Sequence, residues 1–200
     1  MALRILGRTS SINVRKVLWT CAELDLPFEH VESDPRLLAR NPNAMVPVIR
    51  DGDFVLWESN AICRYLAGKQ PRGTLFPEDP GHRGLVDQWM DWQATELNDA
   101  WRYSFLALVR RSPDHRDPAA IDASIQSWNR HISMLDDHLR HGGQFITGEF
   151  FTLADVVLGL SIHRWLASPI QRPQLEAVLG YYQRLSVRPA FRAHVDPGVP

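Results

Sequence analysis

The chain has 200 residues, of which 44% are hydrophobic, and this composition is ordinary for a globular protein of one large or two small domains. Its formal net charge of −1 gives no support to a nucleic-acid partner or to binding at an anionic membrane, since both favour a basic face. The two cysteines, Cys21 and Cys63, stand at no metal-ligand spacing, so we expect neither a disulfide scaffold nor a metal site.

The segment at the start of the chain is too short and too soon charged to resemble a signal peptide. No apolar run reaches the roughly 20 residues of a membrane-spanning helix. We therefore expect a soluble protein without a membrane partner, located in the reducing cytoplasm.

The first part of the chain alternates between strand and helix patterns. Leu3–Leu6 is a short apolar run typical of a strand, and apolar residues then recur at helical spacing from Ile12. Pro27 ends that helix, because the residue before a proline avoids the helical conformation. Phe28–Val31 is a second strand, which predicts a β-α-β unit with parallel strands.

A hairpin and a second helix follow. The segments 46–49 and 54–57 flank an Asp-Gly pair, which favours a two-residue hairpin turn. Ser59 then begins another helical pattern. Residues 1–70 are therefore predicted to form an α/β domain with a mixed four-stranded sheet.

The rest of the sequence is helical in pattern. The proline-rich segment 71–82 predicts a linker, and residues 83–200 predict an all-helical domain. The helices are predicted at 85–108, 121–139, 153–166 and 175–185.

Pro47 stands among strand-like residues, although proline cannot donate to a central ladder. It fits either the edge or the start of a strand, or a cis peptide bond after Val46. In the second case the N–H and C=O of Val46 would face outward and could pair with an extended, peptide-like ligand.

Glu58 and Ser59 open the helix after the hairpin. Ser59 is a good N-cap residue, and the same helix N-terminus attracts a carboxylate. Glu58 could bind an ammonium. A ligand with both an α-amino and an α-carboxyl group would satisfy the two residues together.

Three hydroxyl residues, Thr9, Ser10 and Ser11, precede the first helix. They could simply form a turn and a cap. Alternatively, one hydroxyl could donate to an anion such as a thiolate, whose pKa is lowered by hydrogen bonds and by a helix N-terminus.

Taken together, these features resemble the cytosolic glutathione transferases. The matching segments are SSINVRKVLWTCAELDLPFE, NPNAMVPVIRDGDFVLWESNAICRYL and FTLADVVLG, and they extend over nearly the whole chain. The resemblance implies a thioredoxin-like N-terminal domain followed by an all-helical C-terminal domain. It also implies glutathione as the co-substrate, no metal, a homodimer and a role in detoxification.

The resemblance also implies the binding site for glutathione. Val46, beside a cis Pro47, would bind the cysteinyl part of the tripeptide through its backbone. Glu58 and Ser59 would bind its γ-glutamyl end. For the glycine carboxylate the candidates are Arg36 and Arg40.

The catalytic residues implied are Ser11, facing the sulfur, and Asn13 as a supporting polar group. This Ser-x-Asn pattern is similar to the bacterial, serine-type branch, with Ser10 as the alternative to Ser11. No tyrosine lies near the end of the first strand, which excludes a tyrosine mechanism. Cys21 and Cys63 lie within helical patterns, which disfavours a cysteine mechanism.

Two residues depart from the family pattern next to Val46. Met45 stands where a polar residue often contacts the ligand, and Ala44 stands at a turn that often carries glycine. The two departures therefore allow an affinity for glutathione that differs from that of the family.

In the helical half, Thr152 and Asp155 form the pattern of a capping box, which we interpret as structural. Two aromatic-basic clusters are candidate contacts for the second substrate, although aromatic residues at helical spacing more often pack in the core. The clusters are Trp101, Arg102 and Tyr103, and His163, Arg164 and Trp165.

The leading hypothesis is transfer of the glutathione thiolate to a small, apolar electrophile. One alternative is glutathione-dependent reduction of disulfides or peroxides. Another is a non-catalytic protein that keeps the fold for assembly or ligand carriage. A scaffold has no need for Ser11, Pro47, Glu58 and Ser59 together, which argues against the last.

Overall fold

The fold is described from a computed structural model over residues 2–70 and 74–195. Its first half contains the strands β1 (Leu3–Leu6), β2 (Phe28–Val31), β3 (Val48–Asp51) and β4 (Phe54–Trp57). They form a sheet in the order β2-β1-β3-β4, in which β1 is parallel to β2 and β3 is antiparallel to both β1 and β4. The predicted mixed sheet is confirmed.

Helices cover both faces of this sheet. Helices α1 (Ile12–Glu23) and α3 (Ser59–Gly68) pack on one face, and α2 (Pro35–Leu38) packs on the other. Helix α2 was not predicted, because four residues are too few to show a period. Its start is fixed locally, since the Asp34 carboxylate accepts a hydrogen bond from the Leu37 N–H at 3.0 Å.

In the described residues of the second half, every regular element is a helix, and the strand-like pairing is one isolated bridge between Phe145 and Gly148. The chain therefore has the predicted fold class, a thioredoxin-like sheet domain followed by a helical domain. The helices are α4 (Pro80–Trp92), α5 (Asn98–Leu108), α6 (Pro118–His141), α7 (Leu153–Ala167), α8 (Glu176–Ser186) and α9 (Pro189–His194).

Three features of this half differ from expectation. Helix α4 begins inside the segment 71–82 predicted as a linker, because Asp79 caps it by accepting from the His82 N–H at 2.9 Å; residues 71–73 lie outside the described residues. Helices α4 and α5 are one long helix, as predicted, but a π-helical turn at Gln93–Leu97 joins them. Helix α9, only six residues long, was not predicted.

The two halves meet along α1. Trp19 is fully buried, with its ring 5.8 Å from that of Phe151 and 5.2 Å from that of Phe191. Gly159 on α7 lets this ring approach closely, since a Cβ there would lie 3.0 Å from the indole. Helix α1 is therefore enclosed by the sheet domain on one side and by the helical domain on the other.

Within the described residues, no helix combines the length and the apolar character needed to cross a membrane.

Candidate active site

The Val46–Pro47 peptide bond is cis, as predicted. Strand β3 begins immediately after it, with Val48 opposite Leu6 on β1 and Trp57 on β4. The backbone N–H and C=O of Val46 form no hydrogen bond to any of the described residues. These groups are therefore available to an extended ligand, as the sequence predicted.

The hairpin brings Glu58 and Ser59 close to Val46 and Pro47. Because Trp57 pairs with Val48, the next residue, Glu58, lies beside Pro47 at the start of α3. The N-cap is Glu58 rather than Ser59, which is the first helical residue, so the cap predicted at Ser59 is displaced by one position.

The backbone of Glu58 has φ 72° and ψ 112°, a conformation that side-chain-bearing residues seldom adopt. Such strain persists only where the surrounding structure imposes it, and it is concentrated at functional sites. Here it turns the chain from the end of β4 directly into α3, with the Glu58 side chain exposed.

A buried lysine that sequence reasoning missed lies beneath Ser59. Lys16 on α1 is 2% exposed, and its Nζ donates to Ser59 Oγ at 3.2 Å, to Asn60 Oδ1 at 2.8 Å and to Gln93 Oε1 at 3.3 Å. Burial lowers the pKa of Lys16 to about 8, so the side chain is still largely cationic at neutral pH. A positive charge therefore lies directly behind the N-terminus of α3.

The π-helical turn carries this network onward into the helical domain. Gln93 Nε2 donates to Asn98 Oδ1 at 2.9 Å, and the same oxygen accepts from Trp101 Nε1 at 3.1 Å. The extra residue of a π turn rotates the side chains after it. Gln93 at its start and Asn98 directly after it thereby connect Lys16 to Trp101.

Lys16 should make the stability of the fold depend on pH. Its pKa is depressed from 10.5 to about 8 in the folded protein, so the unfolded chain holds more protons between these values and stability should rise with pH across that range. We expect a gain on the order of 1–2 kcal/mol between pH 7.5 and 9.5 that Lys16→Met lacks. Urea unfolding of both proteins across this range measures the gain. The same pH dependence of the free energy of unfolding in both proteins would contradict the lowered pKa of Lys16.

Ser11 is the N-cap of α1 by its backbone conformation, but its side chain makes no capping hydrogen bond. Its hydroxyl has no partner in the part of the chain that the structure describes, so the simple capping interpretation does not hold for this residue. Ser10 and Thr9 are exposed. The carbonyl of Ser10 accepts from Arg110 Nη2 at 3.0 Å.

Two cavities meet at Ser11. One, of about 350 Å³, is bounded by Ser11, Val46 and Arg8, together with the start of α2. The other, of about 420 Å³, lies between the two domains and is bounded by Ser11, Asn13 and residues of α5. A sulfur atom held near Ser11 would therefore face a second compartment.

The candidate contacts for the second substrate divide into two groups. Trp101, Arg102 and Arg164 line the inter-domain cavity, and the other three do not. The ring of Tyr103 packs against that of His115, with centroids 4.8 Å apart. His163 Nδ1 is 2.7 Å from the Tyr182 hydroxyl, and Trp165 Nε1 donates to Asn129 Oδ1 at 2.8 Å.

Arg36 and Arg40 lie apart from Ser11. They line a separate concavity of about 320 Å³ beside α2, together with Arg4 and Arg50. The arginine that does share the Ser11 and Val46 cavity is Arg8, which sequence reasoning missed.

Cys21 and Cys63 are fully buried and pack in the core, as expected. Burial raises the pKa of Cys21 to about 12 and also raises that of Cys63, so both thiols stay protonated at neutral pH. Among residues 2–70 and 74–195, no group of three potential ligands is placed to hold a metal ion.

Comparison with known proteins agrees with this geometry. Residues 6–74 match the family model described as the glutathione S-transferase N-terminal domain, and residues 118–196 match that of the C-terminal domain. A relative named glutathione S-transferase GstB from Escherichia coli K12 is 38% identical, over 93% of this chain and 94% of its own.

Solved structures give the same result. A theta class glutathione S-transferase from Xanthomonas axonopodis pv. citri, with glutathione bound, is 37% identical and superposes with a TM-score of 0.89, over 98% of this chain and 97% of its own. An epsilon-class enzyme from the housefly, 25% identical, has a TM-score of 0.83, over 98% of this chain and 93% of its own. By its sequence, its fold and these relatives, the chain belongs to the glutathione S-transferase family.

Proposed function

We propose that the protein transfers the thiolate of glutathione to a small electrophile with an apolar body. The observation that carries this proposal is the position of Ser11. Its uncommitted hydroxyl lies at the N-terminus of α1, where the cavity beside Val46 meets the inter-domain cavity. The names of the relatives reported above, glutathione S-transferases, support the same reaction.

Glutathione binds to the N-terminal domain, residues 1–70. The backbone of Val46, beside cis Pro47, pairs with the cysteinyl residue as an added strand would. The exposed carboxylate of Glu58 receives the α-ammonium of the γ-glutamyl end. The α-carboxylate is bound by Ser59 and the N-terminus of α3, with the charge of Lys16 behind them.

The thiol is then activated without a protein nucleophile. The Ser11 hydroxyl donates to the sulfur, and the N-terminus of α1 adds a favourable field, so the pKa of the bound thiol falls. Asn13 supports this polar edge of the inter-domain cavity. The thiolate forms a bond to an electrophilic carbon, the leaving group departs with its electron pair, and the thiol proton passes to solvent.

Turnover with two substrates, measured side by side, tests the reaction type. We expect turnover of 1-chloro-2,4-dinitrobenzene with glutathione and little reduction of hydroxyethyl disulfide. Faster reduction of the disulfide would favour a glutathione-dependent reductase. Binding of glutathione without turnover of either would favour a non-catalytic role.

Ser59→Ala should weaken glutathione binding while leaving the pKa of the bound thiol unchanged. One hydrogen bond to the α-carboxylate is lost, which we expect to cost about 1.5 kcal/mol, or roughly tenfold in affinity. Ser59→Thr keeps the hydroxyl and serves as the control. Calorimetry with S-methylglutathione measures the affinity, and equal affinity of the alanine variant and the wild type would remove Ser59 from the binding site.

We also propose that the protein is a cytoplasmic homodimer. The resemblance to dimeric enzymes supports this assembly, and the exposed apolar side chains of Phe54 on β4 and Leu85 on α4 are candidates for the contact. Sedimentation equilibrium over a range of concentrations measures the assembly state, and a monomer throughout would contradict it.

A further inference from the structure

The inter-domain cavity is cationic. Three arginines line it, Arg102, Arg110 and Arg164, and the described residues of its lining include neither aspartate nor glutamate. The remaining lining combines polar residues with apolar side chains, among them Trp101 and Phe105. A cavity built only for an uncharged, apolar molecule has no use for this charge.

Arg164 is the residue that this arrangement leaves uncompensated. It is 3% exposed, and its guanidinium packs over two adjoining rings, 4.6 Å from the centroid of Trp101 and 4.2 Å from that of Phe105. Within the described part of the chain the guanidinium forms no ion pair, and its buried Nε has no hydrogen-bond partner. A buried arginine is ordinarily paired with a carboxylate, since the desolvated charge is otherwise costly.

The neighbouring charges increase this cost. Burial lowers the pKa of Arg164 to about 9, with the charges of Arg15 and Arg110 acting in the same direction. The guanidinium is therefore cationic at neutral pH in an environment that favours an added anion. The side chain is ready to accept a negative group that the described protein does not supply.

Arg110 brings a second positive charge to the same compartment. Its guanidinium donates to the carbonyl of Ser10 at 3.0 Å and lies over the Phe105 ring at 5.5 Å. It therefore joins the hydroxyl turn before α1 to the end of α5. Arg102 is exposed and partly neutralised by Asp99, which lies 3.2 Å from it, so it contributes less.

We propose that the electrophile carries a carboxylate on an aromatic or similarly apolar body, with the carboxylate bound between Arg164 and Arg110. This rests on the proposed function and defines the substrate class of the same site. The apolar body packs against Trp101 and Phe105, which orients the electrophilic carbon toward the sulfur beside Ser11. For an aryl chloride, a C–S bond forms, the C–Cl bond breaks, chloride leaves with the electron pair, and the thiol proton goes to solvent.

A matched pair of substrates tests the charge alone. We compare 4-chloro-3,5-dinitrobenzoate with its uncharged methyl ester, and divide each kcat/KM by the rate constant of the uncatalysed reaction with glutathione. We expect the benzoate to have the larger enhancement by at least tenfold, as loss of a charge-assisted contact implies.

Variants assign the preference to the two arginines. Arg164→Met keeps the apolar packing and removes the charge, and Arg164→Lys restores the charge. Arg110→Gln removes an exposed charge and does not depend on refilling a buried site. Arg164→Met and Arg110→Gln should each reduce the preference for the benzoate, the ratio of its enhancement to that of the ester, about tenfold. Arg111→Gln, next in sequence and outside the cavity, should leave it unchanged.

Three outcomes would overturn the inference. One is an ester enhancement equal to that of the benzoate, with both reactions accelerated. Another is an equal loss for both substrates in Arg110→Gln and Arg164→Met, together with a raised KM for glutathione, which would assign the arginines to the tripeptide. The third is an unchanged preference in both variants. Failure of the proposed function is different: neither chloride would react faster than without the protein.

Discussion

Asp155→Ala should lower the free energy of unfolding by about 3–5 kcal/mol, because it removes a carboxylate that accepts four hydrogen bonds in a dry environment. Oδ2 accepts from the Thr152 N–H at 2.7 Å and the Thr152 hydroxyl at 3.1 Å. Oδ1 accepts from the Ile146 N–H at 2.9 Å and the Tyr181 hydroxyl at 2.8 Å. Alanine would leave these donors buried without an acceptor.

The expected loss is larger than that of an ordinary helix cap, which is about 1 kcal/mol. The capping box predicted from Thr152 and Asp155 is confirmed at the start of α7. The sequence could not show that the same carboxylate also binds the loop at Ile146 and helix α8 through Tyr181. The pKa of Asp155 is raised, because burial outweighs the four hydrogen bonds, which act in the opposite direction.

Two matched variants separate the network from a general effect of losing a carboxylate. Asp137→Ala removes an exposed carboxylate on α6 that faces Arg140 at 3.2 Å, and we expect a change below about 0.5 kcal/mol. Tyr181→Phe removes a single donor and should cost about 1 kcal/mol. Urea unfolding gives the three values. An Asp155→Ala protein with unchanged stability but no turnover would place Asp155 in the active site instead.

The parts of the fold that sequence predicted are those with a local signal. The strands β1 and β2 and the hairpin are apolar runs bounded by turn residues, and α1 and α3 show a helical period over ten residues or more. Helices α2 and α9 are too short to show one. The π turn adds a residue to a helix that is continuous on either side, so periodicity gives no sign of it.

The candidate site likewise contains residues that the sequence brings together and residues that only the packing brings there. Val46, Pro47, Glu58 and Ser59 lie within one hairpin and the helix after it, so their order in the sequence already places them together. Lys16 could not be assigned to the site by this kind of reasoning, because a lysine on a helix usually faces solvent.

Lys16 is buried because α1 is enclosed by both domains, and Arg15 and Thr20 on the same helix are buried with it. Arg164 was a candidate contact from its cluster, but the sequence could not show that its guanidinium is buried over the rings of Trp101 and Phe105, because that depends on how α7 packs against α5. Where the two domains meet, polar residues are buried by tertiary packing that no local pattern reports. That junction is also where the site is built.

Ser11→Ala should raise the pKa of bound glutathione by one to two units, because a hydroxyl hydrogen bond to a thiolate is lost at a contribution of roughly 1.5–3 kcal/mol. At pH 6.5, where the thiolate fraction limits the rate, turnover should fall tenfold or more. Above the raised pKa, the rates of the variant and the wild type should converge. Glutathione affinity should stay within a few-fold, because the sulfur makes little of the binding contact.

The same variant distinguishes a donor to sulfur from a helix cap. Ser11 makes no side-chain capping bond, so Ser11→Ala should cost much less than the roughly 1 kcal/mol of a lost cap. Ser10→Ala is the matched control, and Asn13→Ala measures the contribution of the supporting polar group. The Ser10 side chain is exposed, and it is the carbonyl of Ser10 that Arg110 binds, so we expect its alanine variant to titrate as the wild type does.

Titration of the thiolate absorbance against pH in the four proteins, with urea unfolding in parallel, gives both quantities. A shifted titration in Ser10→Ala with an unmoved one in Ser11→Ala would transfer the role to Ser10. If Ser11→Ala lowers the free energy of unfolding but leaves the thiolate titration unchanged, the hydroxyl caps α1 after all. The thiolate would then be held by the N-terminus of the helix and by backbone N–H donors.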